Sequence, residues 1–159
     1  MNKIKLFCDG SCNPQNKIGY GAYILIEDEN FDLSFLKSKV ILKKFEDTSS
    51  TKLEIQTFLW ALNDIDISNN IVEIYTDCQN IIGLEKRKKK LQALNYHSSS
   101  GKLLNNSELY KEFFQLLEKY NCVFIKVEGH KKNSLKDNID DIFNIVDRAS
   151  RNALRESRN

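Results

Sequence analysis

Long apolar runs are missing from this 159-residue chain. A bilayer-spanning helix needs about 20 mostly apolar residues, and stretches such as Tyr23 to Ile26 fall far short of that. The N-terminus, "MNKIKLFCDG", enters a strand directly with no apolar signal region. A soluble, intracellular, cytoplasmic protein is expected. Histidine is also scarce: there are two, and no pair stands at ligand spacing. Cys8 and Cys12 lie one residue too far apart for a CxxC pair, and no second cysteine pair follows them. Zinc is therefore excluded and iron poorly served. The four cysteines, Cys8, Cys12, Cys78 and Cys122, sit in or beside predicted strands, so reduced thiols are expected rather than a secreted disulfide framework. Internal repeats and low-complexity segments are absent. The net charge of +2 is too small to point to any partner by itself.

Hydrophobic residues make up 41% of the chain, enough for one domain, residues 1–159, with a core that needs no metal or disulfide staple. The charge is unevenly placed. Between Glu85 and Lys111 seven basic residues stand against two acidic ones, and five of the seven form the run Lys86, Arg87, Lys88, Lys89 and Lys90. That segment can meet a polyanion.

Residues 3 to 9 read as a strand that stops on Asp9 and breaks at Gly10 and Ser11. "GYGAYILIED" reads as a second strand, with Gly19 and Gly21 leaving room for a close backbone or ligand approach. A third is expected from Val40 to Phe45. The connections between these three carry no helical pattern, which favours an antiparallel meander. A helix follows from Thr51 to Ile65, with Ser49 and Ser50 as cap candidates. "IVEIYTD" is a fourth strand, again ending on an aspartate, Asp77, and Cys78 to Leu91 reads as helical. Leu109 to Lys119 is an amphipathic helix, "CVFIKV" the last strand, and Ile139 to Glu156 the closing helix. "NYHSSSGKLLNNS" is a polar loop. This order predicts a mixed α/β sheet of five strands, three antiparallel and two parallel, flanked by helices.

Two parallel strands that end on Asp9 and Asp77 would present both carboxylates at one carboxyl edge, where open α/β sheets hold their ligands. A strand-end aspartate also begins turns and caps helices. In the first long helix Phe58, Ala61 and Ile65 fall within about 40° of Glu54, which therefore heads the apolar stripe. A buried glutamate is costly unless it is paired, protonated or bound to a cation. Asp147 lies at the margin of an apolar face in the closing helix, and Asp140 and Asp141 compete with it by spacing alone. Several carboxylates meeting at one edge would repel one another, and a hard divalent cation such as magnesium is the usual reason to tolerate that.

Taken in order, "DGSCNP" with "GYGAY", "STKLE", "YTDCQNI", "VEGH" and "VDRASR" resemble the successive motifs of the type 1 ribonuclease H family across nearly the whole chain. The resemblance implies a ribonuclease H-like fold. It implies that Asp9, Glu54, Asp77 and Asp147 bind metal, and it selects Asp147 over Asp140 and Asp141 because Arg148 and Arg151 follow it. It further implies cleavage of the RNA strand of RNA·DNA hybrids with two Mg²⁺ ions, or Mn²⁺ in their place, leaving 5′-phosphate and 3′-hydroxyl ends. His130 would help move protons or release product.

Substrate contacts carried over from the family fall at Gly10, Ser11, Cys12, Asn13, Ser50, Thr51 and Gln79, with Lys86, Arg87, Lys88, Lys89 and Lys90 supplying charge. Three features depart from the family pattern. The loop from His130 to Asp147 is longer, Ser50 and Thr51 stand where asparagines are usual, and the basic run carries no tryptophan, since Trp60 lies in the first long helix. A monomer is expected, with no hybrid-binding domain ahead of the first strand. Two rival readings remain at this stage: a hybrid-binding module without catalysis, and a DNA-directed nuclease on the same superfold.

Overall fold

The computed structural model describes residues 2–27, 31–128 and 138–158. Five strands form one sheet in the order β3-β2-β1-β4-β5. They are β1 (Asn2–Asn13), β2 (Ile18–Ile26), β3 (Ile41–Phe45), β4 (Asn70–Thr76) and β5 (Asn121–Lys126). The first three are antiparallel, while β4 runs parallel to β1 and β5 parallel to β4. The expected five-stranded mixed sheet is the one observed.

Helices cover both faces. On one side lie α2 (Ser50–Asp64), α3 (Gln79–Leu84) and α5 (Ser107–Lys119), over a core that includes Leu6, Phe58, Leu62, Ile74 and Phe113. On the other lie α1 (Leu33–Lys37) and α6 (Asn138–Glu156), over Phe7, Ile24, Tyr75, Ile142 and Val146. Leu6 and Phe7 are neighbours on β1 yet belong to opposite layers, as strand alternation requires. Between α3 and α5 the chain makes a 3₁₀ turn, Glu85–Arg87, a short helix α4 (Lys88–Ala93), and the polar loop. That loop is pinned by the bridge between His97 and Leu103 and by left-handed backbone at Asn95, Tyr96 and Gly101. None of the described helices is long and apolar enough to cross a membrane.

Four expectations are corrected. β1 does not break at Gly10: it continues to Asn13, because Gly10 pairs with Gly21 and Ser11 with Tyr20 on β2. The connection from β2 to β3 is not free of helix. It carries α1, capped by the Asp32 carboxylate, which accepts from the Ser34 backbone N–H. The single helix expected from Cys78 to Leu91 is divided by the 3₁₀ turn. Finally, α2 ends at Asp64, with Ile65 in extended backbone beyond it. Ser49 is the residue that caps α2, its hydroxyl accepting from the Lys52 backbone N–H at 3.2 Å.

Glycines set how closely α2 approaches the sheet. A Cβ on Gly19 would come within 2.7 Å of Leu53 Cδ2, and one on Gly21 within 2.5 Å of Thr57 Oγ1. Gly10, the cross-strand partner of Gly21, lies against the same two side chains. The close approach expected at Gly19 and Gly21 is therefore that of the α2 side chains Leu53 and Thr57, and Glu54 is carried between them.

Candidate active site

Asp9 stands where β1 loses a neighbour. Its pairing with β2 continues, Asp9 lying opposite Ala22, but the last residue of β1 paired with β4 is Phe7, opposite Tyr75. The strands fork there, and Asp77, just past the end of β4, stands at the mouth of the fork with its side chain exposed. Alternation puts Asp9 on the same side as Phe7, toward α6, and there its carboxyl shares a hydrogen bond with Asp147. Asp147 in turn accepts from Arg151 Nε at 2.9 Å, one helical turn on.

Burial, the charges of Asp77 and Asp147, and the hydrogen bond with Asp147 together push the Asp9 carboxyl up to about 8, against a smaller lowering by the Gly10 backbone N–H. Glu54 is half-buried and also shifted upward, first by burial and then by Asp77, while Cys78 opposes the shift. The Cys78 thiol donates to Glu54 Oε2 at 2.8 Å and accepts from the Ile81 backbone N–H at 3.4 Å, so one side chain caps α3 and holds the glutamate. Burial and Glu54 push that thiol itself well up, so it remains a donor at neutral pH. A small cavity behind the acids is lined by Cys8, Asp9, Glu54, Thr57, Asp77 and Cys78 among others, and the Thr57 hydroxyl has no hydrogen-bond partner among the described residues.

The competing aspartates part here: Asp140 is buried near the start of α6, and Asp141 faces a different cleft with Lys37 and Arg148. His130 lies outside the described residues. Of the carried-over contacts, Gly10, Ser11, Cys12 and Asn13 line the extended half of β1. The Ser11 hydroxyl meets that of Ser150 at 3.2 Å, and the Asn13 side chain accepts from the Gln15 N–H, beginning the β1–β2 turn. Ser50 and Thr51 are exposed in the first turn of α2, and Gln79 is exposed at the start of α3. In the basic run Lys88 is engaged with Glu118 and lies over the Phe114 ring, while Lys86, Arg87, Lys89 and Lys90 are exposed. The link from Cys78 to Glu54 escaped the sequence, because it joins two elements whose packing periodicity does not specify.

Among the described residues no three acid, thiol or imidazole side chains are gathered closely enough to enclose an ion unaided. The chemistry of the donor set still suits magnesium, which is usually held by one or two carboxylates, with water and substrate phosphate completing its shell, rather than by a protein cage.

Solved structures share this fold. LC9-RNase H1, a type 1 RNase H with the type 2 active-site motif, matches with a TM-score of 0.70 at 13% identity, covering 96% of this chain and 72% of that one. A foamy viral protease-reverse transcriptase, solved in complex with dsDNA, matches with a TM-score of 0.62 at 12% identity over 93% of this chain and 92% of that one. The fold is thus ribonuclease H-like, and this chain sets Asp9 and Asp77 toward the carboxyl edge of its sheet. The sequence narrows this further. The RNase H family pattern matches residues 1–154. The Ribonuclease H of Clostridium botulinum is 28% identical over 149 residues, 91% of this chain and 95% of that protein. That of Prosthecochloris aestuarii is 27% identical over 142 residues, 87% and 90% of the two chains. The chain belongs to the RNase H family, whose members are endoribonucleases acting on RNA·DNA hybrids and generally use divalent metal ions.

Proposed function

We propose that this chain is a monomeric, cytoplasmic, single-domain endonuclease, residues 1–159, that hydrolyses the RNA strand of RNA·DNA hybrids through Asp9, Glu54, Asp77 and Asp147. The observation that carries this reading is Asp9, a part-buried carboxyl pushed up to about 8 beside Asp77 and Asp147. Folding gains nothing from holding acids together in this way, and a charge-neutralising ligand does. These four residues would hold two Mg²⁺ ions, or Mn²⁺, and the chemistry such ions supply is activation of the attacking water and neutralisation of charge on the leaving 3′-oxygen.

The chain's own groups do the rest. The sheet fork fixes Asp9 and Asp77 across from one another, and α6 brings Asp147 to Asp9 with Arg151 restraining it. The Cys78 thiol holds the Glu54 carboxylate in one orientation. Ser50 and Thr51 hydrogen-bond sugar hydroxyls, while Gly10, Ser11, Cys12, Asn13 and Gln79 meet the minor groove. Lys86, Arg87, Lys88, Lys89 and Lys90 contribute phosphate contacts. His130 assists proton movement or product release. Products carry 5′-phosphate and 3′-hydroxyl ends.

Labelled hybrid, duplex DNA and duplex RNA, each with Mg²⁺ or with chelator, test the reading. The parent is expected to cut only the hybrid, and only with the cation. Asp77→Asn keeps the shape of the side chain and removes a charge, so its cleavage should fall by several orders of magnitude while hybrid binding survives. Near-normal cleavage by that variant would take Asp77 out of the site. Binding of hybrid without cleavage by the parent would favour the module without catalysis, and cutting of duplex DNA would favour the DNA-directed reading.

A further inference from the structure

On α6, one turn and more beyond Asp147, lie Arg151 and Arg155, and Arg158 follows in the turn just past the helix end at Glu156. At about 100° per residue Arg151 and Arg155 fall on the face that carries Asp147, and the Arg158 N–H, donating to the Arg155 carbonyl at 3.2 Å, keeps the chain turning beside them. With Leu154 they form one wall of a cleft of about 420 Å³, whose other wall is Ser11 and Cys12 of β1. The Ser11–Ser150 hydroxyl contact joins α6 to β1 beside it. Arg151 is committed to Asp147. Arg155 and Arg158 are exposed, and among the described residues neither has an ion-pair partner. Basic residues at a helix C-terminus are favourable with its dipole alone, but the dipole does not explain a cleft walled on its far side by the strand that carries Asp9.

We infer that this cleft is a phosphate-binding subsite, in which Arg155 and Arg158 hold backbone phosphates flanking the scissile one on the strand being cut. The inference rests on the hybrid-cleaving reading above. The distances suit it: Asp147 to Arg155 spans about 12 Å of helix at 1.5 Å per residue, and phosphates of one strand recur about every 3.4 Å along a duplex axis. A strand running from Asp9 and Asp147 along this cleft would carry its next phosphates past these guanidinium groups, whose planar forks suit phosphate oxygens. Lys88, by contrast, already has Glu118 and Phe114 as partners.

Hybrid binding in chelator, measured by anisotropy over a range of salt, tests the cleft. Each phosphate contact contributes about 0.7–0.9 to the slope of log affinity against log salt, so Arg155→Gln/Arg158→Gln should flatten the slope by about 1.4–1.8. Arg155→Lys/Arg158→Lys should restore most of it. The charge-matched control is Lys3→Gln/Lys119→Gln. Lys3 pairs with Ile71 at the opposite edge of the sheet, and Lys119 precedes Asn121, which pairs with Ile71 from the other side, so the slope should hold. An unchanged slope in the glutamine pair, or an equal loss in the control, overturns the subsite. Both arginines are exposed, and melting curves check that the fold is kept. Failure of the parent to cut hybrid would instead sink the functional reading, so the two failures are distinct.

Discussion

The thiol of Cys78 donates to the carboxylate of Glu54 at 2.8 Å, across the gap between α3 and α2. The same sulfur caps α3 by accepting from the Ile81 N–H. Cys78 is thus a positioning residue for a proposed metal ligand and a structural cap at once, and substitutions separate the two roles.

Serine keeps both a donor and an acceptor, so Cys78→Ser should melt close to the parent and need a similar Mg²⁺ concentration for half-maximal cleavage. Cys78→Ala loses the cap, costing about 0.5–2 kcal/mol. It also frees Glu54, and removing such a partner typically costs about 10–100-fold in metal affinity or activity. A Mg²⁺ titration of cleavage for the two variants decides the point. Equal Mg²⁺ requirements would show that the contact with Glu54 is incidental to the site.

Gly21 sets the height of α2 above the sheet. A Cβ there would meet Thr57 Oγ1 at 2.5 Å and Cγ2 at 2.9 Å, and a β-branched side chain in a helix has little freedom to turn away. Gly21→Ala should destabilise by about 1–3 kcal/mol and lower cleavage by displacing Glu54. Removing the obstructing atoms with Thr57→Ala should restore part of both. At Gly83, where a new Cβ meets nothing within 4 Å, alanine should instead stabilise α3 by about 0.5–1 kcal/mol. Thermal melts of the three variants check the signs, and a Gly21→Ala protein as stable and active as the parent would refute the packing argument.

Much of this was legible in the chain itself. Short apolar runs bounded by turn residues marked the five strands, and the spacing of Phe58 and Ala61 from Glu54 marked a glutamate on the inner face of α2. What stayed hidden depended on pairing between distant segments. β1 runs past Asp9 because Gly10 and Ser11 pair with β2 alone, and no local signal distinguishes a strand that ends from one that loses a single neighbour. Residues 33–37 are too few to show a helical period, so α1 rests on its Asp32 cap. The rise toward 8 at Asp9 has the same origin, since burial and the approach of Asp77 and Asp147 come only with folding.

That rise makes the stability of the metal-free protein depend on pH in a definite direction. In the unfolded chain Asp9 loses its proton near the ordinary value of about 3.9, whereas in the folded protein it holds the proton up to about 8. Between those values the folded state binds a proton that the unfolded state does not, so its contribution to stability, full below about pH 4, is lost as pH rises toward 8. Glu54 is shifted the same way by burial and adds to the trend. Asp9→Asn removes the larger part while nearly keeping the volume. In chelator the variant should therefore melt above the parent at about pH 8.5, and the gap should close at about pH 5. A domain of this size shifts by about 2–4 °C per kcal/mol, which scanning fluorimetry resolves. Millimolar Mg²⁺ should raise the parent's melting temperature more than the variant's, because a cation stabilises whichever folded state it binds more tightly. If Asp9→Asn melts lower than the parent at both pH values and Mg²⁺ moves the two proteins equally, Asp9 serves only the pairing of β1 with β2, and its position at the fork of the sheet has no chemical purpose.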